Sequence, residues 1–172
     1  MTGCKTLPEH GARVNRRPCF PAKFCAYNAV FSSWNNDMEM KPVLTAEDVQ
    51  KVLHAADAHA RTQQWGVSIA VVDEGGHLLS FTRRDGASAF TADIAIAKAR
   101  TAAIAKRETK VFEGIVNNGR PAFLSIGVDG LLEGGVPLVY EGYVVGAVGV
   151  SGVRSDQDAE VANAGAQVLA NA

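Results

Sequence analysis

Two β-rich runs joined by a paired-glycine turn restrict the fold of this chain more than any other feature. Val67-Ser-Ile-Ala-Val-Val-Asp73 is mostly apolar and rich in β-branched residues, the composition of a strand buried on both faces. Glu74-Gly75-Gly76-His77 follows, and paired glycines accept the positive φ that a short hairpin turn demands. Leu78 to Arg84 then returns as the partner strand. A second hairpin is expected from Val136–Tyr140, the turn Glu141-Gly142 and Tyr143–Val150, where Val144, Val145, Val148 and Val150 supply the β-branched content. Hairpins make antiparallel sheets, and the apolar faces of such a sheet need helices to cover them.

Helical patterns are present on both sides of each hairpin. Thr45-Ala-Glu-Asp48 reads as a helix opening, with a hydroxyl N-cap, Asp in place of the usual Glu three residues on, and acids in the first turn. Val49, Val52, Leu53, Ala56 and Ala60 continue it at helical spacing, with an end expected near Gly66. Phe90 to Arg107 is alanine-rich, and Ala92, Ala95, Ile96, Ala99 and Ala103 form a small-residue face that permits close approach to the sheet. Thr109 to Asn118 predicts a shorter helix stopped by Asn117-Asn118-Gly119. Residues 119–135 read as irregular, since Gly134-Gly135 followed by Pro137 excludes a helix there. A last helix is expected from about Ser155 to Leu169, with Val161, Ala164, Val168 and Leu169 on one face. The predicted class is α+β: a profilin-like or PAS-like antiparallel sheet flanked by helices in three layers.

Composition narrows the functional classes. The 172 residues suit one domain, and 47% hydrophobic content supports a real core. A net charge of −1 gives no attraction to phosphate backbones or anionic membranes, and 7% aromatic content gives no stacking surface for single strands. Nucleic acid and membrane are therefore excluded as partners. Residues 1–36 differ in kind: Lys5, Arg13, Arg16, Arg17 and Lys23 face the single acid Glu9, and all three cysteines, Cys4, Cys19 and Cys25, lie there. Their spacing fits no standard zinc pattern. Residues 1–39 are accordingly read as a disordered or non-native extension, with Met38 or Met40 as the expected start of a domain spanning 40–172. With no run of about 18 apolar residues, a cytoplasmic location is expected, and targeting by the basic leader stays open.

Six runs carry a resemblance when taken in order. They are Val71-Val-Asp-Glu-Gly-Gly-His-Leu, Arg83-Arg-Asp-Gly-Ala, Lys98-Ala-Arg-Thr-Ala, Gly134-Gly-Val-Pro-Leu, Gly146-Ala-Val-Gly-Val-Ser-Gly and Gln157-Asp-Ala-Glu-Val-Ala. Together they resemble the GlcG/HbpS-like family, also called the haem-degrading domain family, which includes the C-terminal module of PduO-type proteins. The likeness runs from about Lys41 to the end of the chain. It implies a profilin-like fold, homo-oligomers from dimer to octamer and, for some members, binding or degradation of haem. Other members of the family sit beside glycolate or diol catabolism. The function implied is small-molecule binding, with haem or a related tetrapyrrole as ligand and cofactor. The alternative is a tautomerase- or isomerase-type accessory enzyme, or a carboxylate-binding protein, in glycolate, diol or aromatic catabolism. Whether the chain is an enzyme stays open.

Candidate ligand-binding residues come from these runs. Arg83, Arg84 and Asp85 close a strand where loops meet; Lys98, Arg100 and Thr101 lie on the following helix, where Lys98 and Thr101 share a face. One arginine turned inward can hold a carboxylate, a haem propionate included, through paired hydrogen bonds; the competing reading is a surface ion pair with Asp85 or Asp93. Gly134 and Gly135, ahead of Pro137, expose backbone N–H groups that can receive an oxyanion or simply begin a hairpin. Asp156 caps the last helix, while Asp158 matches the Gln-Asp signature of the resemblance and faces either Arg83 or Lys98. If the loops after Arg83 and before Val136 converge over the helix carrying Lys98 and Thr101, one cleft results. In the isomerase reading Arg83 holds the substrate and Asp158 or Lys98 moves a proton. His54, His59 and His77 read as solvated side chains rather than axial iron ligands, and no metal site is expected. Gly-x-Ser-x-Gly is absent, so no nucleophile elbow is expected.

Overall fold

Both hairpins form, and they pair with each other. In this computed structural model, which describes residues 40–170, the elements are α1 (Ala46–Thr62), β1 (Ser68–Asp73), β2 (Leu78–Arg83), α2 (Phe90–Ala105), α3 (Thr109–Asn117), a 3-10 segment (Pro121–Ile126), β3 (Gly135–Tyr140), β4 (Tyr143–Ser151) and α4 (Ser155–Ala170). The extension expected over residues 1–39 lies outside the described residues. The strands form one antiparallel sheet in the order β2-β1-β4-β3. Its centre is the β1–β4 ladder, which runs in register from Ser68↔Ser151 to Asp73↔Gly146.

Strand alternation sorts side chains into two layers of core. Ile69, Val71, Val148 and Val150 point to one face and meet Val52, Ala56 and Ala60 of α1 and Val161 and Ala162 of α4. Ala70, Val72 and Ala147 point to the other and meet Ala95, Ala99, Ala102 and Ala103 of α2. The result is the expected three-layer α+β sandwich, helices on both sides of the sheet. The valine-rich face supplies most of the hydrophobic stabilisation, at about 1.5–3 kcal/mol for each large side chain fully buried. The alanine face supplies proximity instead. At Gly149 a Cβ would collide with Ala95 O and Ala99 N, so α2 rests on the backbone of β4 and only glycine fits beneath it.

Local signals explain the helix ends. Thr45 Oγ1 accepts from the Asp48 amide at 3.2 Å while the Asp48 carboxylate accepts from the Thr45 amide at 3.2 Å, a reciprocal capping box built with Asp. α1 stops at Thr62, short of Gly66, because the chain reverses through Gln64 at φ 58°. The stretch expected to be irregular contains a short 3-10 segment, Pro121–Ile126.

Only part of the sheet is covered by α2. The helix packs across β1, β4 and β3, and leaves the same face of the edge strand β2 open. Leu78 sits opposite Val72 and Phe81 opposite Ala70, so both belong to that face. They are 47% and 37% exposed.

Candidate functional site

Apart from Thr101, the candidate ligand-binding residues divide into two groups towards opposite edges of the sheet. Lys98, Gly134, Gly135, Pro137 and Asp158 gather where α2, β3, β4 and α4 meet. Lys98 Nζ donates to Asp158 Oδ2 at 2.8 Å and to the Val150 carbonyl at 3.0 Å, and Asp158 Oδ1 accepts from the Val153 amide at 3.1 Å. Both side chains are only 3% exposed. Burial pushes the Asp158 carboxyl above its ordinary range, while the hydrogen bond and charge of Lys98 pull it back. Of the two partners open to Asp158, the fold selects Lys98.

The glycines serve this joint. A Cβ on Gly134 would lie 2.8 Å from Lys98 Nζ, and the Gly134 carbonyl accepts from the Val150 amide at 2.9 Å. The Gly135 N–H donates to Thr109 Oγ1 at 2.9 Å, so it is not offered to an oxyanion. Pro137 sits in β3 opposite Ala147. These residues tie α2 to the β3–β4 hairpin and to α4.

Arg83 and Asp85 lie elsewhere. Arg83 is exposed on the edge strand β2, opposite Ser68, and Asp85 is exposed in the following turn. With β1 and β4 between β2 and β3, the loops after Arg83 and before Val136 do not converge over α2. The arginine that turns inward is Arg84: Nη1 meets Asp57 Oδ1 at 2.6 Å and Nε donates to the Trp65 carbonyl at 3.1 Å. Its carboxylate partner belongs to the chain itself, on α1.

Thr101 borders an accessible cleft. It is buried, donates to the Asp129 carbonyl, and helps line a cleft of about 400 Å³ between the outer face of α2 and residues 127–129. Ile96, Arg100 and Ile104 recur four residues apart along this face, and Val128 stands across from them. Gly130, at φ 73°, lets the loop touch the backbone of Ala97 and Lys98. Arg100, which the sequence places on the same helix as Lys98 and Thr101, is not among the candidates selected from it; its spacing with Ile96 and Ile104 was the available signal.

The β1–β2 turn packs against the same helix. A Cβ on Gly76 would lie 2.7 Å from Arg100 Cγ and 3.2 Å from Ile104 Cδ1, so the turn borders the stretch of α2 that floors the cleft. Asp73 organises this turn. Its Oδ1 accepts from the Gly75 amide at 2.9 Å, the His77 amide at 2.8 Å and His77 Nδ1 at 3.2 Å. The His77 amide, with the imidazole and the Gly75 amide, holds the Asp73 carboxyl below its ordinary value. A second cleft, about 290 Å³ around Pro42, Leu44, Tyr140, Val145 and Leu169, carries Asp48 as its charged group and so does not suit an anion. Among the described residues no group of three or more His, Cys, Asp or Glu side chains is placed to hold a metal ion, and no helix is long and apolar enough to cross a membrane.

With this geometry in place, comparison with known proteins gives a consistent result. Residues 44–167 match the family described as haem degrading protein HbpS-like. The chain is 48% identical to protein GlcG of Escherichia coli (strain K12) over 114 residues, 66% of this chain and 85% of the relative. Its fold is similar to that of an HbpS double mutant from Streptomyces reticuli, with a TM-score of 0.70 and 33% identity over 78% of this chain and 92% of the other. It is also similar to PduOC in its haem complex, with a TM-score of 0.67 and 25% identity over 73% of this chain and 94% of the other.

Proposed function

The chain belongs to the HbpS-like family, and on that premise we propose that it binds haem or a related tetrapyrrole along the outer face of α2. The observation that carries the reading is the cleft itself, where Ile96, Ile104 and Val128 supply apolar contact and Arg100 supplies a cation. A porphyrin is a flat apolar ring with carboxylates on one edge. Its ring suits the isoleucine stripe, and a propionate suits the planar guanidinium fork of Arg100. The volume falls within the range of small-molecule sites, of about 300–1,000 Å³, and its open side leaves one ring edge in water. The description of the matched family as haem degrading and the similar fold of PduOC in its haem complex support the same ligand class. When bound, haem would supply a redox-active iron; the chain supplies the ring contact, the counter-charge and the orientation.

Proton-transfer chemistry finds less support. Lys98 and Asp158 neutralise each other behind Gly134 and do not line this cleft.

Titration of haemin into the apo-protein, followed at the Soret band, tests the proposal. Saturable binding is expected, weakened roughly ten-fold in Arg100→Gln because a charge-assisted hydrogen bond is worth about 1.5–3 kcal/mol and this one is partly in water. Ile104→Asp should weaken it further. Binding that ignores both substitutions would overturn the site, and an absent Soret band would overturn the ligand.

A further inference from the structure

Resting on that reading, we infer that His77 is the side chain that ligates the tetrapyrrole iron, held for the purpose by Asp73. The sequence alone reads His77 as a solvated turn residue. Two observations change that.

The first is how the imidazole is held. Nδ1 lies 3.2 Å from both carboxylate oxygens of Asp73, whose Oδ1 also fixes the Gly75 and His77 amides. In the tautomer that this contact selects, Nδ1 carries the proton and Nε2 keeps its lone pair. A carboxylate behind one ring nitrogen and an open lone pair on the other is the arrangement of metal-ligating histidines, because the carboxylate orients the ring and raises its basicity. The His77 side chain is 82% exposed, so Nε2 is accessible to an iron.

The second is where the turn sits. Gly76 packs on Arg100 and Ile104, and Leu78, the residue after His77, lies on the α2 side of the sheet opposite Val72. Leu78, Phe81 and Ile104 are all exposed apolar side chains. They extend the apolar surface of α2 past its edge and along β2, beside the turn that carries His77. The other described histidines are on α1, across the sheet from this surface. His59 is moreover packed against Trp65 at a centroid distance of 6.1 Å, with its Nε2 buried. Among the described residues, His77 is thus the imidazole on the α2 side.

The experiment compares the wild-type chain with His77→Ala, Asp73→Asn and His54→Ala, each checked for folding by circular dichroism. Haemin binding is read from the Soret position and the electron paramagnetic resonance of the ferric iron. Metal-free protoporphyrin serves as a second probe that has no iron to ligate. His77→Ala is expected to lose the nitrogen-ligated spectrum and to regain it when imidazole is added. Its affinity for metal-free protoporphyrin should stay within about two-fold of wild type, since only the iron bond is gone. Asp73→Asn should weaken haemin binding roughly 10–100-fold, the usual loss for such a supporting carboxylate, and His54→Ala should change neither probe. An unchanged haemin spectrum and affinity in His77→Ala would overturn the assignment while leaving tetrapyrrole binding intact. If the wild type binds neither probe, the functional reading itself fails and the assignment with it.

Discussion

Removing the Lys98 ammonium should unfold this domain more readily than any surface substitution. Lys98→Met keeps the length and apolar stem of the side chain but leaves the Asp158 carboxylate, at 3% exposure, with backbone amides of Gly152 and Val153 and no counter-charge. The Val150 carbonyl also loses a donor. Stranding one member of a buried pair costs about 3–5 kcal/mol, against a total stability of about 5–15 kcal/mol for a domain of this kind. With a urea slope of ~2 kcal/mol per M, the unfolding midpoint falls by roughly 2 M. Asp158→Asn strands the lysine instead and should cost a similar amount. The double variant removes both charges, so its loss should be smaller than the sum of the two by more than about 1 kcal/mol. Urea unfolding followed by circular dichroism measures all three. Single losses below about 0.5 kcal/mol, or strictly additive losses, would refute the role of Lys98 and Asp158 as a coupled, desolvated joint.

Three other outcomes are expected. Gly149→Ala drives a methyl into the backbone of α2 at Ala95 and Ala99 and should cost about 1–3 kcal/mol in thermal or urea unfolding; a neutral effect would mean that α2 does not rest on β4. Because the Asp73 carboxyl is held below its ordinary value of 3.8, its bonds to the turn contribute above that value and are lost as pH falls through the lower, folded-state pKa. Amide shifts of Gly75 and His77 should then titrate with a midpoint below 3.8, whereas one at or above 3.8 would contradict the turn geometry. Finally, the chain should self-associate through the exposed apolar stretch of Leu124, Ile126 and Leu132. Light scattering should show a multimer that Leu124→Asp with Ile126→Asp dissociates, and a monomeric wild type would count against it.

The sequence made the elements legible because each carries its own local cause. Gly75-Gly76 and Glu141-Gly142 mark the two hairpin turns, the Thr45–Asp48 box starts α1, and small residues on α2 meet small residues on the sheet. It carried Asp158 as far as a choice between Arg83 and Lys98, which no local rule decides. Strand order decides it: β1 and β4 lie between Arg83 and the Gly134 region, and order in a sheet is a property of non-local pairing. The same gap hid the roles of the adjacent arginines. Either can turn inward, and the turn after β2 sends Arg84 to Asp57 while Arg83 stays outside. Thr101 was legible as part of a site, and Arg100 only as its neighbour on the helix, because an exposed arginine on an alanine-rich helix gains a role only once Gly76 and Val128 flank it.

The central claim is that a tetrapyrrole lies on the outer face of α2, and amide chemical-shift mapping with a diamagnetic gallium protoporphyrin tests it most directly. Shifts should concentrate at Ile96–Ala105, at Gly127–Asp129 and in the Gly75–Leu78 turn. Shifts clustered instead around Leu44, Tyr140 and Leu169, or none at saturating ligand, would contradict it.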